Sequence, residues 1–254
     1  MIIEDDELDN FLKKEPKAKP YIKKLVGAKE FINNKKRWCL WLVGVSPSEI
    51  RNMPLVMERV AKVREMRLSS SDAGTRKLAD TPTVFRETYN PKSFIIIPSA
   101  SSEKRRYIPL GFLGEDTIST NLNLIIPEAT MYHFGVLTSN VHMAWMRAVC
   151  GRLKSDYRYS KDVVYNNFPW PEPTEEQKAK IEQTAQTILD ARNLYPDNSL
   201  ADLYDELTMP LELRKAHMQN DKAVMQAYGF SIKDTTEESC VAELMKLYQQ
   251  LVMV

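Results

Sequence analysis

Glycine is scarce in this chain, with 8 residues among 254. Loops that cradle nucleotide phosphates are rich in glycine, and no two glycines here stand one residue apart. Cysteine is scarcer still: Cys39, Cys150 and Cys240 are far apart and odd in number. That pattern argues against a disulfide framework and lacks the close spacing of zinc ligands. We therefore expect neither a nucleotide-holding loop nor a structural zinc site.

Long apolar runs and a basic leader are also missing. No run approaches the roughly 18 to 20 apolar residues that a membrane helix needs, and residues 1–12 are acidic, unlike a signal peptide. These features predict a soluble, cytoplasmic protein. His133, His142 and His217 have no metal-ligand spacing and no evident nucleophile or acidic partner nearby. We therefore predict no catalytic residues and no metal site in this chain.

The net charge of +1 conceals an uneven distribution along the chain. Residues 10–172 hold 27 basic and 15 acidic residues, a balance of +12, whereas residues 173–254 hold 8 basic and 14 acidic residues, a balance of −6. The densest basic stretch is 13–37, with ten Lys or Arg. Such a split favours a basic functional face joined to an ordinary solvated module. Lysines that merely keep a surface soluble are the alternative explanation.

The first third of the chain gives clear local signals. Residues 13–24 are rich in Lys and Pro, which predicts an extended segment, and we treat 1–19 as lying outside the first domain. The apolar run 38–43 predicts a buried strand. Ser46, followed by Pro47 and Glu49, has the pattern of a capping box, which predicts a helix from there to about Leu68.

The rest of the chain changes from strand patterns to helix patterns. Short β-branched or aromatic runs predict four strands, at 83–87, 93–99, 106–110 and 123–127. A helix is predicted at 140–151 and an irregular aromatic linker at 164–171. Capping patterns and apolar periodicity predict four further helices, at 174–194, 199–207, 210–228 and 236–252. The fold class is therefore α+β, with a mixed domain at 20–172 followed by a helical domain at 173–254.

Several stretches together resemble the target recognition region of MmeI-type restriction–modification enzymes, single-chain proteins that carry an N6-adenine DNA methyltransferase. The stretches are GAKEFIN (27–33), RWCLWL (37–42), SEKRRYIP (102–109), GRLKSDYRYS (151–160), NNFPWP (166–171), LADLYD (200–205), Met209-Pro210 and LRKAH (213–217). The resemblance covers about residues 20–230. It implies a module that recognises a DNA sequence, with double-stranded DNA and a methyltransferase domain of the same or another chain as its partners.

The chain departs from the full-length family pattern at the catalytic elements. The family's methyltransferase core carries Asn-Pro-Pro followed by Tyr or Phe, whose ring stacks on an extruded adenine. Here Asn90-Pro91 is followed by Lys92-Ser93, without the second proline or the aromatic residue. We therefore expect a non-catalytic chain that holds no cofactor, with S-adenosylmethionine bound elsewhere in the full-length enzyme. The function predicted is sequence-specific recognition of duplex DNA.

Glu103 and Arg105 are the predicted base-reading residues. In an extended segment, residues two apart project from the same face. Glu accepts a hydrogen bond from cytosine N4, and Arg donates two to guanine N7 and O6, so this pair suits both halves of one C·G base pair. A salt bridge on a surface loop is the alternative. Lys104 and Arg106 would point the other way, towards phosphate or solvent.

A second group of residues is predicted to contact phosphates. Basic and hydroxyl side chains that follow a helix end suit backbone contacts, and the members are Arg152, Lys154, Arg158 and Tyr159. Compensation of the helix C-terminal dipole is the alternative for these charges. For the chain as a whole, the competing function is a protein–protein interaction or scaffold module, in which the acidic helices form the working surface. Salt-dependent binding to duplex DNA distinguishes the two.

Overall fold

The computed structural model describes residues 1–253, which form two compact units. The first unit comprises Met1–Val26, Lys35–Pro91 and Glu115–Thr120. The second comprises Gly27–Asn34, Lys92–Gly114 and the chain from Asn121 onward. The predicted α+β fold class, with a helical C-terminal part, is confirmed.

Strands and helices are mixed up to residue 158, and only helices follow after the π-helical turn at Lys161–Tyr165. The strands are β1 (Ile2–Glu4), β2 (Ile22–Val26), β3 (Arg37–Leu40), β4 (Ser93–Pro98), β5 (Ala100–Ser101), β6 (Gly111–Gly114), β7 (Thr117–Ser119), β8 (Asn123–Pro127), β9 (Gly151–Leu153) and β10 (Asp156–Arg158). The helices are α1 (Asp5–Lys14), α2 (Ala28–Ile32), α3 (Pro47–Arg51), α4 (Pro54–Leu68), α5 (Ala73–Lys77), α6 (Met131–Leu137), α7 (Asn140–Val149), α8 (Glu175–Asn193), α9 (Leu200–Leu203), α10 (Leu211–Ala227) and α11 (Glu237–Val252).

The first unit is built on a four-stranded sheet in the order β1-β3-β2-β7, in which β7 runs parallel to β2 and the other pairs are antiparallel. The extended segment predicted at 13–24 is wrong for most of its length, because the end of α1 and a 3₁₀ helix at Pro16–Tyr21 occupy it, and only its last three residues are extended, in β2. Acidic residues in the first turn of α1 and lysines in its last turn complement the helix dipole, so a charged sequence forms a regular helix here.

The helix predicted from Ser46 to about Leu68 is divided into α3 and α4. Ser46 and Glu49 form the predicted capping box. Helical geometry is lost at Met53 (φ −125°, ψ 85°), because a residue before proline is disfavoured from helical dihedrals. Pro54 then starts α4, where its missing N–H is not needed.

A second sheet, in the order β6-β4-β8 and antiparallel throughout, belongs to the second unit. It confirms the strands predicted at 93–99 and 123–127. The strands predicted at 83–87 and 106–110 are wrong, since neither segment belongs to a sheet. Residues 107–110 are nevertheless buried, so their apolar run marks a core segment that is held by something other than a β-ladder.

The C-terminal half follows its sequence signals closely. The helices predicted from residue 174 onward correspond to α8, α9, α10 and α11. Thr174 and Gln177 form the predicted capping box, and Ser139 caps α7 by accepting from the His142 amide. The linker at 164–171 is irregular after a π-helical turn at Lys161–Tyr165. Among residues 1–253, no helix combines the length and apolar character that crossing a bilayer requires.

Gly135 allows α6 to pack closely on α8. A Cβ at this position would lie 2.6 Å from Ile181 Cγ2 and 3.1 Å from Ala185 Cβ. The Gly135 carbonyl also accepts a 2.8 Å hydrogen bond from Asn220 Nδ2, on α10. The absence of a side chain at Gly135 thus lets three helices meet within one core.

Replacing Gly135 by Ala is expected to lower the free energy of unfolding by about 1 to 3 kcal/mol, the usual cost of overpacking a close-packed core. Chemical denaturation measures it. Gly151→Ala is the control, because a Cβ there meets only Arg158 Cβ, at 4.0 Å. Equal denaturation midpoints for the two variants would show that α6 and α8 separate easily.

Candidate nucleic-acid interface

A small three-stranded sheet, in the order β5-β10-β9, brings two predicted groups of residues together. Tyr157 on β10 is paired with Ser101 on β5 and with Arg152 on β9, both antiparallel. The chain after Ser101 and the β9–β10 turn, which contains Lys154, therefore lie at the same end of this sheet. Lys154 has φ of 57°, as the tight connection between the two strands requires.

The segment 102–106 is a turn, so the extended geometry that would give Glu103 and Arg105 a shared face is not present. The Arg105 amide donates to the Ser102 carbonyl at 3.1 Å, and the Lys104 amide donates to Ser102 Oγ at 3.3 Å. A serine side chain that accepts from the amide two residues on stabilises such turns. Alternation of faces therefore cannot place Glu103 beside Arg105 or send Lys104 and Arg106 the other way.

A cavity of about 510 Å³ lies beside this turn, and Glu103 and Arg105 both line it. Its wall is formed by the 102–106 turn, by α7 and by the start of α11. The lining residues that carry charge are Glu103, Lys104, Arg105, Arg106, Arg147, Glu206 and Glu237. All four residues of the turn from 103 to 106 thus line one cavity.

Arg105 is the least exposed charged residue of the turn. Glu103, Lys104 and Arg106 are exposed, whereas Arg105 is intermediate. Partial burial lowers the pKa of Arg105, and the negative charges of Asp156 and Asp205 oppose that shift. An arginine guanidinium stays protonated well above neutral pH, so Arg105 presents a permanent positive charge.

The ion pair of Glu103 is with Arg152. Their charged atoms are 3.8 Å apart, and each side chain is 45% exposed. Arg152 also donates to the Ser155 carbonyl at 2.9 Å and lies 4.1 Å from the centre of the Tyr157 ring. An exposed pair at this distance contributes about 0 to 1 kcal/mol. Exchanging it for a contact with another molecule therefore costs little.

Lys154 and Arg158 present their charges to solvent. Both are exposed. Side chains alternate across a strand, so Arg158 projects from the face opposite buried Tyr157. Lys154 is at the hairpin turn. These two residues form an accessible basic edge beside the 102–106 turn.

Tyr159 belongs to the core, and the structure gives no support for a phosphate contact by it. The residue is 3% exposed, and its hydroxyl lies 2.9 Å from His142 Nε2. Burial raises the pKa of Tyr159, so its hydroxyl stays protonated. The sequence motif placed it beside Arg158, but strand alternation turns the two side chains to opposite surroundings.

Sequence reasoning missed a set of polar residues behind the turn, some of them buried and some partly exposed. Arg147 donates to the Arg106 carbonyl at 3.2 Å and makes a two-point ion pair with Glu237, at 2.6 and 2.9 Å. The Tyr107 hydroxyl donates to Asp221 Oδ2 at 2.6 Å. The available signal was an acidic residue, Asp221, on the apolar face of a predicted helix.

A second part of this set links three elements of the C-terminal region. Arg192 donates from Nε to the Tyr204 hydroxyl at 2.8 Å and from Nη1 to the Leu110 carbonyl at 2.6 Å. The Tyr204 hydroxyl also lies 2.8 Å from His217 Nε2. The His217 ring stacks on Tyr107, with centroids 4.1 Å apart. Tyr204 and His217 lie within the stretches that carry the family resemblance.

The sequence predicted neither a metal site nor a methyl-donor site in this chain. Within the described residues, no group of three or more His, Cys, Asp or Glu side chains is placed to hold a metal ion. Asn90, in the partial Asn-Pro motif, uses its side-chain amide to donate to the Glu115 carbonyl at 2.9 Å. That hydrogen bond gives Asn90 a local structural role.

Comparison with known families matches the whole chain. The family model described as "MmeI, target recognition domain" matches residues 1–172, and the one described as "MmeI, C-terminal domain" matches residues 173–254. The chain therefore belongs to the MmeI family, in the part that comprises those two domains.

Two relatives are similar over nearly all of the chain. DNA methyltransferase A of Bacillus subtilis (strain 168) is 44% identical over 246 residues, which is 96% of this chain and 28% of that protein. The solved structure of the Type IIL restriction–modification enzyme MmeI in complex with DNA matches with a TM-score of 0.96 and 48% identity. That match covers 100% of this chain and 34% of the MmeI chain. The present chain thus spans about a third or less of either relative.

Proposed function

We propose that this chain is the sequence-specific duplex DNA recognition module of an N6-adenine DNA methyltransferase, and that it is non-catalytic by itself. The observation that carries the proposal is the 48% identity and TM-score of 0.96 to an enzyme solved in complex with DNA. The exposed turn 102–106 and the basic hairpin edge beside it supply chemistry that suits a duplex.

In this proposal, Glu103 and Arg105 read one C·G base pair. Glu103 accepts from cytosine N4, and Arg105 donates to guanine O6 and N7 in the major groove. Both residues line one cavity, so their shared location no longer depends on strand alternation. The weak, exposed bridge between Glu103 and Arg152 leaves Glu103 free to change partners.

Phosphate contacts fall to the exposed basic residues around the turn. Lys154 and Arg158 are the principal candidates, and Lys104, Arg106 and Arg152 are the others. Phosphate contacts fix register and orientation, whereas base contacts carry the sequence information. Tyr159 is left out, because its buried hydroxyl is paired with His142.

The full-length enzyme would supply the chemistry from another domain. A methyltransferase domain, in the same or a partner chain, would bind S-adenosylmethionine and receive an adenine whose position this module sets. The residues of the present chain bind and orient DNA and carry no step of methyl transfer.

Replacing Lys154 and Arg158 by Ala is expected to flatten the salt dependence of duplex binding. Each phosphate contact contributes about −0.9 to the slope of log affinity against log salt, so the double variant should lose up to about two units. Fluorescence anisotropy of this chain with a labelled duplex, over a series of salt concentrations, measures the slope.

The matched control is Lys180→Ala with Lys246→Ala, which removes the same charge from the exposed surface of α8 and α11. If both double variants keep the native slope, Lys154 and Arg158 do not face DNA. Binding without any salt dependence would contradict the proposed function and favour a protein-interaction module.

A further inference from the structure

Residues 106–110 are held by side chains in place of strand hydrogen bonds. The Arg106 carbonyl accepts from Arg147 at 3.2 Å. The Ile108 amide donates to Met143 Sδ at 3.4 Å, and the Leu110 carbonyl accepts from Arg192 at 2.6 Å. The three backbone groups belong to every second residue, 106, 108 and 110, as the groups that pair with one neighbouring strand in a sheet do. The position of the 102–106 turn therefore depends on helices α7 and α8.

Asp221 ties the end of the turn to the start of α7. Its Oδ2 accepts from the Tyr107 hydroxyl at 2.6 Å, and its Oδ1 accepts from the Asn140 amide at 2.8 Å. The residue is 5% exposed. A buried carboxylate with two donors strongly orients both of them. Asp221, on α10, therefore fixes the position of Tyr107 and of the turn that precedes it.

Arg147 connects the same turn to α11. Its guanidinium makes a two-point ion pair with Glu237, the first residue of α11, and uses a third nitrogen for the Arg106 carbonyl. The Arg147 side chain is 21% exposed and that of Glu237 is 54% exposed, so the two-point geometry, more than shielding from solvent, gives this contact its direction. A lysine at this position cannot reproduce both bonds, because it lacks the planar fork.

We propose that Arg147 and Asp221 are positioning residues for sequence specificity, so that the C-terminal helices set which base pair the 102–106 turn can read. The proposal rests on the proposed function of Glu103 and Arg105. Hydrogen bonds to base edges weaken steeply with misalignment, whereas the attraction to phosphates is long-ranged and tolerant. Loosening the turn should therefore lower discrimination between base pairs more than overall affinity.

The test compares Arg147→Lys and Tyr107→Phe with the native protein. A selection of randomised duplexes by the full-length enzyme first defines the recognised sequence. Competition binding then gives the ratio of affinities for that duplex and for one with the read C·G pair reversed. We expect this ratio to fall by about fivefold or more in each variant, with the salt slope unchanged.

Arg59→Lys is the matched control, because Arg59 also bridges a glutamate, Glu7 at 3.5 Å, and a backbone carbonyl, that of Ile2 at 2.8 Å. Arg59 belongs to the first unit. We expect the substitution to leave the ratio of the two duplex affinities unchanged. Tyr107→Phe removes only the hydroxyl that donates to Asp221. This variant therefore still tests the proposal if Arg147→Lys fails to fold.

The outcomes separate this inference from the proposed function. If the ratio in both variants equals that of the control, while substitutions at Glu103 and Arg105 still change the selected sequence, the positioning role is overturned and the recognition role stands. If changes at Glu103 and Arg105 leave the sequence unchanged as well, the base-reading function itself fails. A fall in the ratio confined to the two variants supports the inference.

Discussion

Lowering the pH from about 6.5 to about 4.5 is expected to reduce the free energy of unfolding by about 2 to 3 kcal/mol through His142 alone. His142 is 0% exposed, and burial lowers its pKa to about 3. Over this range the folded protein keeps the imidazole neutral, whereas the unfolded chain binds a proton. The stability that neutral His142 contributes is present above its unfolded pKa and is lost as the pH falls.

Two other buried groups determine the net effect. His217 is also 0% exposed, and burial together with the charges of Arg192 and Arg106 lowers its pKa, which adds to the acid instability. Burial raises the pKa of Asp221 to about 6, so its contribution has the opposite sign: it is present at low pH and is lost as the pH rises through about 6. Two histidines outweigh one carboxyl, and we expect net destabilisation by acid.

Chemical denaturation at a series of pH values measures this effect. His142→Gln keeps a polar group near the Tyr159 hydroxyl and removes the titration, so its stability should depend less steeply on pH. The control is His133→Gln, at a histidine that is only partly buried. An identical pH dependence in the native protein and in His142→Gln would show that His142 binds a proton as readily in the folded protein as in the unfolded chain.

Local signals in the sequence were sufficient where structure depends on near neighbours. Thr174 with Gln177, and Ser46 with Glu49, formed the predicted capping boxes, because a cap satisfies amides within one turn. The strand at 93–99 was confirmed because its apolar run is long enough to be buried on both faces. The predicted boundary between the mixed domain at 20–172 and the helical domain at 173–254 remains a prediction.

Contacts distant in sequence were beyond such reasoning. Residues 106–110 have the composition of a strand, but their backbone partners are side chains of α7 and α8. Tyr107 and Asp221 are 114 residues apart, and no periodic pattern encodes their pairing. The turn at 102–106 was missed because its charged residues resemble any exposed segment, and Ser102, which makes the turn, is only a weak signal.

Exchanging the chemistry of the base-reading pair, with Glu103→Lys and Arg105→Asp, is expected to change the preference at one position from C·G to G·C. The native order offers an acceptor to cytosine and donors to guanine. Against a reversed pair, acceptors meet acceptors and donors meet donors, which costs roughly 1 to 3 kcal/mol. Each form should therefore discriminate between the two base pairs by about fivefold to 150-fold, with opposite preferences.

Folding should survive this exchange. The bridge from Glu103 to Arg152 is half-exposed and contributes at most about 1 kcal/mol. Glu103 and Arg105 belong to a turn whose backbone is fixed by Ser102 and by contacts after residue 105. The thermal unfolding midpoint of the double variant checks that it is folded.

The central claim, that this chain reads base pairs through Glu103 and Arg105, is tested most directly by selecting randomised duplexes with the full-length enzyme in its native and exchanged forms. The account predicts two recognised sequences that differ at a single base pair, C·G in one and G·C in the other. Identical recognised sequences from two folded, DNA-binding enzymes would contradict it.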